Sequence, residues 1–134
     1  MAKQCSTKPL ITKLGIKSGF KIALLHAPAD YDKTLGPLPD GASAPSKLAA
    51  LDFIHAFFTS AKDLKAEFPK LKAGLAPSGA LWVSWPKKAA KVETDLTENV
   101  VREIGLASGL VEVKVCAVNE VWSGLKFVYR LKDR

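Results

Sequence analysis

Much that would assign a function at a glance is missing from these 134 residues. Cysteine is scarce: only Cys5 and Cys116, with no CxxC and no Cys/His cluster. Neither a disulfide framework nor a zinc site is indicated. The N-terminus, MAKQCSTK, has no apolar segment of the secretory kind. The longest apolar stretch, residues 48–58, is interrupted by Asp52 and His55 and is too short to span a bilayer. There is no GxSxG, Walker loop or HExxH. Internal repeats and low-complexity stretches are also missing. A reduced, cytoplasmic protein without a membrane partner is expected.

Charge is unevenly spread. The net charge is +7, from 20 basic and 13 acidic residues. Through residue 92 there are 14 lysines against 6 acids, and from residue 93 onward 6 basic residues against 7 acidic ones. A basic surplus of this kind suits an anionic partner, either a small molecule or nucleic acid. It equally suits plain solubility, because the lysines are scattered and no run exceeds Lys87-Lys88.

The length fits one domain, residues 1–134, with residues 1–8 as a polar, flexible lead. Leu10, Ile11, Leu14 and Ile16 predict a short helix ending near Gly15. Residues 20–27, FKIALLHA, form an apolar run of strand length, as in a strand buried on both faces. Residues 28–45 are rich in Pro, Gly, Asp and Ser and read as an exposed loop. Within it a helical turn is expected at 30–35 and a weak strand at 42–44. Residues 51–59, LDFIHAFFT, are a second strand. Ser60 would cap the following helix, with Leu64, Phe68, Leu71 and Leu75 inward and a kink or two abutting segments at Pro69.

A central strand at 81–85 lies within ALWVSWPKK, residues 80–88. Asp95 with Glu98 reads as a capping box opening a helix that buries Leu96, Val100, Val101, Ile104 and Leu106 and stops at Ser108-Gly109. Two alternating segments, 111–118 and 125–131, predict an antiparallel hairpin. The predicted class is α/β: a three-layer Rossmann-like, mainly parallel sheet closed by a C-terminal antiparallel β-hairpin.

This order, with LAPSGALWVSW between two helices and a closing hairpin, resembles the second half of the class I S-adenosylmethionine-dependent methyltransferase fold. In that family a "pGG-lvv" segment enters the fifth strand, and residues 76–83 take that place here. LGIKSGFKIALL, residues 14–25, resembles the approach to the family's first strand. WVSWPKK together with TDLTENVVREIGLASGLVEVKVCAVNEVWSGLKFV is similar, more closely, to a family of small bacterial proteins of unknown function. The resemblance implies a reduced methyltransferase-like fold and no particular activity. Where methyltransferases carry a GxGxG-type loop after the first strand, this chain has His26-Ala27-Pro28-Ala29-Asp30. The proline is rigid and removes a backbone donor. About 23 residues separate the two strands flanking this loop, too few for two further strands and two helices. Binding of S-adenosylmethionine is disfavoured on these grounds, and no other cofactor is indicated.

Ligands of open α/β sheets bind beyond the carboxyl ends of the strands. Trp85, Lys87 and Lys88 stand there: a ring to stack and two cations for a phosphate or carboxylate, or else a core cap with two solvated lysines. Thr94 and Asp95 at a helix start offer an anion site in principle, although Asp95 as a cap would compete with the anion. Asn99 in the first turn could face a cleft. His26 ends the first strand, with Asp30 or Asp32 as local partners for acid–base work; a lone His is more often structural. Trp122, Ser123 and Lys126 cluster with Glu120 at the hairpin link and would line the same cleft or plug a sheet edge. No catalytic residue and no metal ligand stands out. The favoured reading is a non-catalytic binding or regulatory module. The alternatives are a binder of an adenosyl or nucleotide ligand, or an enzyme using one, and a nucleic-acid-binding protein. A homodimer through the hairpin edge is a further expectation.

Overall fold

The computed structural model describes residues 10–29, 31–44 and 49–134. The expectations for residues 1–8, for Cys5 and for Asp30 lie outside the described residues. The elements in chain order are α1 (Leu10–Leu14), β1 (Ile22–Leu25), α2 (Tyr31–Leu35), β2 (Leu51–Phe57), α3 (Ala61–Gly74), β3 (Leu75–Pro86), α4 (Glu98–Ala107), β4 (Leu110–Ala117) and β5 (Trp122–Tyr129). They form a five-stranded sheet in the order β1-β2-β3-β5-β4. β1, β2 and β3 run parallel, and β5 and β4 are antiparallel additions. This is the mixed, mainly parallel α/β class that the sequence predicts, with the hairpin closing one side. Among the described residues no helix is long and apolar enough to cross a membrane.

Alternation along the strands sends side chains to two faces. One face, with Ile54, Ala56, Leu81, Val83, Leu125 and Phe127, is covered by Leu64, Phe68 and Leu71 of α3 and Val101 and Ile104 of α4. The other, with Ile22, Phe53, Phe57 and Trp82, is covered by Leu10 and Leu14 of α1 and Tyr31 and Leu35 of α2. Gly105 sets how closely α4 lies on the sheet: a Cβ there would stand 2.1 Å from the Phe127 ring.

Several local expectations are corrected. The segment 28–45 is not simply exposed, because Tyr31 and Leu35 are buried under the sheet. The strand at 42–44 shrinks to a single parallel bridge between Lys21 and Ser43 beside β1. Pro69 lies inside α3 without ending it. Leu106 is exposed. A bulge between Glu112 and Lys114 breaks the parity of β4, so Val113 and Val115 face outward while Cys116 is buried. Cys116 is disulfide-bonded rather than a free thiol, against the expectation of a reduced chain.

Asp95 does not cap the helix that follows it. Thr97 does, its hydroxyl accepting from the Val100 N–H at 3.2 Å. Asp95 reaches back and accepts from the Ala61 N–H of α3 at 2.8 Å. Thr94 donates to the Thr59 carbonyl at 2.6 Å and accepts from the Leu96 N–H at 3.0 Å. Two turns far apart in sequence are thereby stapled together.

Candidate functional site

The carboxyl ends of β1, β2 and β3 meet the hairpin link along one rim of the sheet. Asn119 shapes that link: its side-chain oxygen accepts from the N–H groups of Val121 at 2.8 Å and Trp122 at 2.9 Å. The Lys87 N–H donates to the Val121 carbonyl at 2.7 Å and ties the loop after β3 to it. Two clefts open along this rim.

The larger, of about 620 Å³, is lined by Trp85, Lys87, Lys88, Ala89, Glu98, Glu120 and Ser123. It therefore gathers four of the residues expected from the sequence. Trp85 is buried in the core and gives the cleft a wall, not an open face for stacking. Ser123 sits opposite Trp85 across the β3–β5 ladder. Glu98 is engaged by Arg102, which also pairs with Glu112. Those two carboxylates push the Arg102 pKa upward. Glu120 is thus the one carboxylate lining this cleft with no ion pair among the described residues.

The smaller cleft, of about 270 Å³, is lined by His26, Phe57, Phe58, Thr59, Asp63, Glu67 and Trp122. His26 has φ of 57°, a left-handed conformation that glycine adopts freely and other residues adopt at a cost. Its Nε2 is 3.0 Å from a Glu67 carboxylate oxygen, and its ring stands edge-on to Phe58. Among the described residues the acid–base partner of His26 is thus Glu67 of α3; the side chains of Asp30 and Asp32 lie outside the described residues. Sequence reasoning missed Glu67 because nothing local links residues 41 apart. The single available signal was the i,i+4 spacing of Asp63 and Glu67, which puts both on one helix face.

The remaining candidates lie elsewhere. Thr94 sits in a shallow groove with Thr59, Ser60, Glu93 and Asp95, but its hydroxyl and the Asp95 carboxylate are occupied by the staple. Both side chains that the sequence offers to a ligand at that turn are thus engaged within the protein. Asn99 is exposed on α4 and accepts from Arg102 at 2.7 Å. Lys126 pairs across the ladder with Trp82 and projects to the α1 side, away from both clefts. Among the described residues no cluster of three His, Cys, Asp or Glu could hold a metal.

A third constellation escaped the sequence altogether. His55 is fully buried in β2. Its Nδ1 lies 2.6 Å from the Tyr31 hydroxyl and its Nε2 2.6 Å from the Ser84 hydroxyl. It stacks on Phe57, with ring centroids 4.2 Å apart. Burial lowers its pKa from 6.5 to about 3, so the imidazole is neutral. A neutral ring donates through one nitrogen and accepts through the other, and the two hydroxyls satisfy both.

Solved structures with this arrangement are numerous. A methyltransferase dependent on S-adenosylmethionine from Aquifex aeolicus superposes with a TM-score of 0.60 at 16% identity, over 88% of this chain and 86% of that one. The DhpI complex with S-adenosylhomocysteine gives 0.64 at 12% identity, over 92% and 83%. Magnesium protoporphyrin IX methyltransferase from Synechocystis PCC 6803 gives 0.57 at 11% identity, over 90% and 78%. This is a reduced methyltransferase-like fold. Identities this low carry the fold and nothing of the chemistry. No protein-family model and no curated protein matches the sequence. The turn after β1 is left-handed at His26, whose side chain reaches across to α3.

Proposed function

We propose that this chain is a non-catalytic binding module of methyltransferase-like fold, whose ligand is a small anionic molecule held in the cleft beside Trp85. The observation that carries this reading is the pair Lys87 and Lys88 at the carboxyl end of the central strand, beside a cleft of about 620 Å³. That volume suits a metabolite-sized ligand. The lysines would take its phosphate or carboxylate, Glu120 a donor on its far side, and the rim of Trp85 its apolar part. His26 supports the non-catalytic half of the reading. Its ring and Glu67 occupy the turn where a glycine-rich loop would let a cofactor approach.

The test is a thermal-shift and calorimetric screen of the purified protein against S-adenosylmethionine, S-adenosylhomocysteine, nucleotides and simple phosphates, repeated with Lys87→Ala. A saturable stabilisation by a phosphate-bearing compound, lost in the variant, is expected, since a ligand of the folded state raises its stability. Stabilisation by S-adenosylmethionine that Lys87→Ala leaves intact and His26→Ala changes would replace this reading with that of a cofactor binder using the smaller cleft. The nucleic-acid alternative draws little support. Lys62, Lys65, Lys70 and Lys72 belong to α3 on one side of the sheet, and Lys13 belongs to α1 on the other.

A further inference from the structure

The lysines do not share one face, yet two of them stand directly opposite one another on the hairpin, on the side of the sheet that α1 covers. Lys114 and Lys126 are register partners on β4 and β5. Both project toward α1: the Lys114 ammonium is 3.4 Å from the Lys13 carbonyl, and the Lys126 ammonium lies 3.8 Å from where a Cβ on Gly15 would stand. Lys17, in the turn after α1, is close enough to act electrostatically on Lys126. Like charges set directly opposite on neighbouring strands destabilise a sheet. Nothing offsets them here, because the ion pairs among the described residues involve His26 and Arg102 and no lysine.

Lys126 shows the strain. It is half-buried, and burial, then Lys114, then Lys17, push its pKa down. The bulge between Glu112 and Lys114 is what brings Lys114 round to this face. Capping of α1 by Lys114 does not account for the arrangement. The bond is long, α1 has five residues, and the Leu14 carbonyl is already held by the Trp82 indole N–H at 2.9 Å.

We propose that Lys114 and Lys126 form an anion site for a phosphate or pyrophosphate group, with Lys17, in the turn after α1, at its margin. A dianion with several oxygens can accept from both ammonium groups at once and would remove the like-charge repulsion. Among the described residues the ladder carries no further lysine beside this pair, which fits a phosphoryl group better than a nucleic-acid backbone.

The two readings of these lysines predict opposite signs. The probe is pyrophosphate, titrated by calorimetry at fixed ionic strength into the wild type and into Lys114→Gln, Lys126→Gln and Lys87→Ala. Each cluster variant is expected to weaken binding at this site roughly tenfold, the loss of one charge-assisted bond, whereas Lys87→Ala removes only the separate binding in the cleft. Without ligand, Lys114→Gln is expected to melt higher than the wild type, since it relieves repulsion. Binding that only Lys87→Ala removes would place the anion in the cleft and overturn the proposal. So would a lower ligand-free melting point in Lys114→Gln with no pyrophosphate response in the wild type, which would mark the lysines as structural. Binding of an oligonucleotide, lost in both cluster variants, with no response to pyrophosphate would overturn it in favour of a nucleic-acid surface.

Discussion

The two faces of the sheet are built on different physics. The face under α3 and α4 is almost entirely hydrocarbon, and its tightest contact is a glycine against a phenylalanine ring. The face under α1 and α2 is threaded with polar groups: Tyr31, His55 and Ser84 in one chain, the Trp82 indole bonded to the Leu14 carbonyl, and the lysine cluster at its margin. Hydrocarbon packing is insensitive to pH and intolerant of added volume. A polar face has the reverse weaknesses. The two faces should therefore fail under different insults.

The sharpest way to separate them is Gly105→Ala. The added methyl would overlap Phe127, and α4 must lift from the sheet. A loss of about 3 kcal/mol is expected at any pH, the upper end for overpacking a core. Urea denaturation at pH 7.5 and at pH 5 would check both the size and the absence of pH dependence in the difference. A loss under about 0.5 kcal/mol would mean that this face yields more easily than close packing allows.

The other face is expected to give way in acid. The His55 pKa is lowered in the folded protein and returns to about 6.5 on unfolding. Its contribution is therefore complete above pH 6.5 and declines as the pH falls toward 3, because the unfolded chain takes up a proton that the folded one refuses. By pH 5 the loss is about 2 kcal/mol. His55→Phe removes that component. The variant starts less stable at pH 7.5, since the Ser84 hydroxyl loses its partner, but its stability changes less between pH 7.5 and pH 5. An unchanged pH profile in the variant would show that His55 is not the group that titrates.

Smaller effects test the junctions. Asp95→Ala is expected to cost about 1 kcal/mol, the usual value of a lost helix cap. Its signature is faster amide exchange at Ala61 rather than in α4. Leu106→Lys should fall within about 0.5 kcal/mol of neutral, because Leu106 is solvent-exposed although its spacing in sequence points inward.

That last residue illustrates what the sequence can and cannot convey. Period and punctuation made β2, α3, α4 and the hairpin legible, because hydrophobic spacing and caps are local properties. The rim position of Trp85, Lys87 and Lys88 followed from strand polarity alone. Three features were not legible for one shared reason, in that they depend on contacts between distant segments. A bulge in β4 inverts which of its residues face inward. Asp95 looks like the cap of its own helix and serves another. His26 and Glu67 meet only once α3 has packed. His55 was visible as a break in an apolar run, but its two hydroxyl partners lie 24 and 29 residues away.

The staple from Asp95 to Ala61 also bears on the order in which this chain takes shape on the ribosome. The donor and acceptor are 34 residues apart. While α3 leaves the exit tunnel, its first turn has only the Ser60 hydroxyl, at 3.4 Å from the Asp63 N–H. Domains fold as synthesis proceeds at several residues per second. For the seconds needed to make residues 75–95, the start of α3 frays in a nascent chain that already contains β1 and β2. A pause with Asp95 already outside the tunnel would let the helix lock, whereas one with it still inside would hold the chain with that end open.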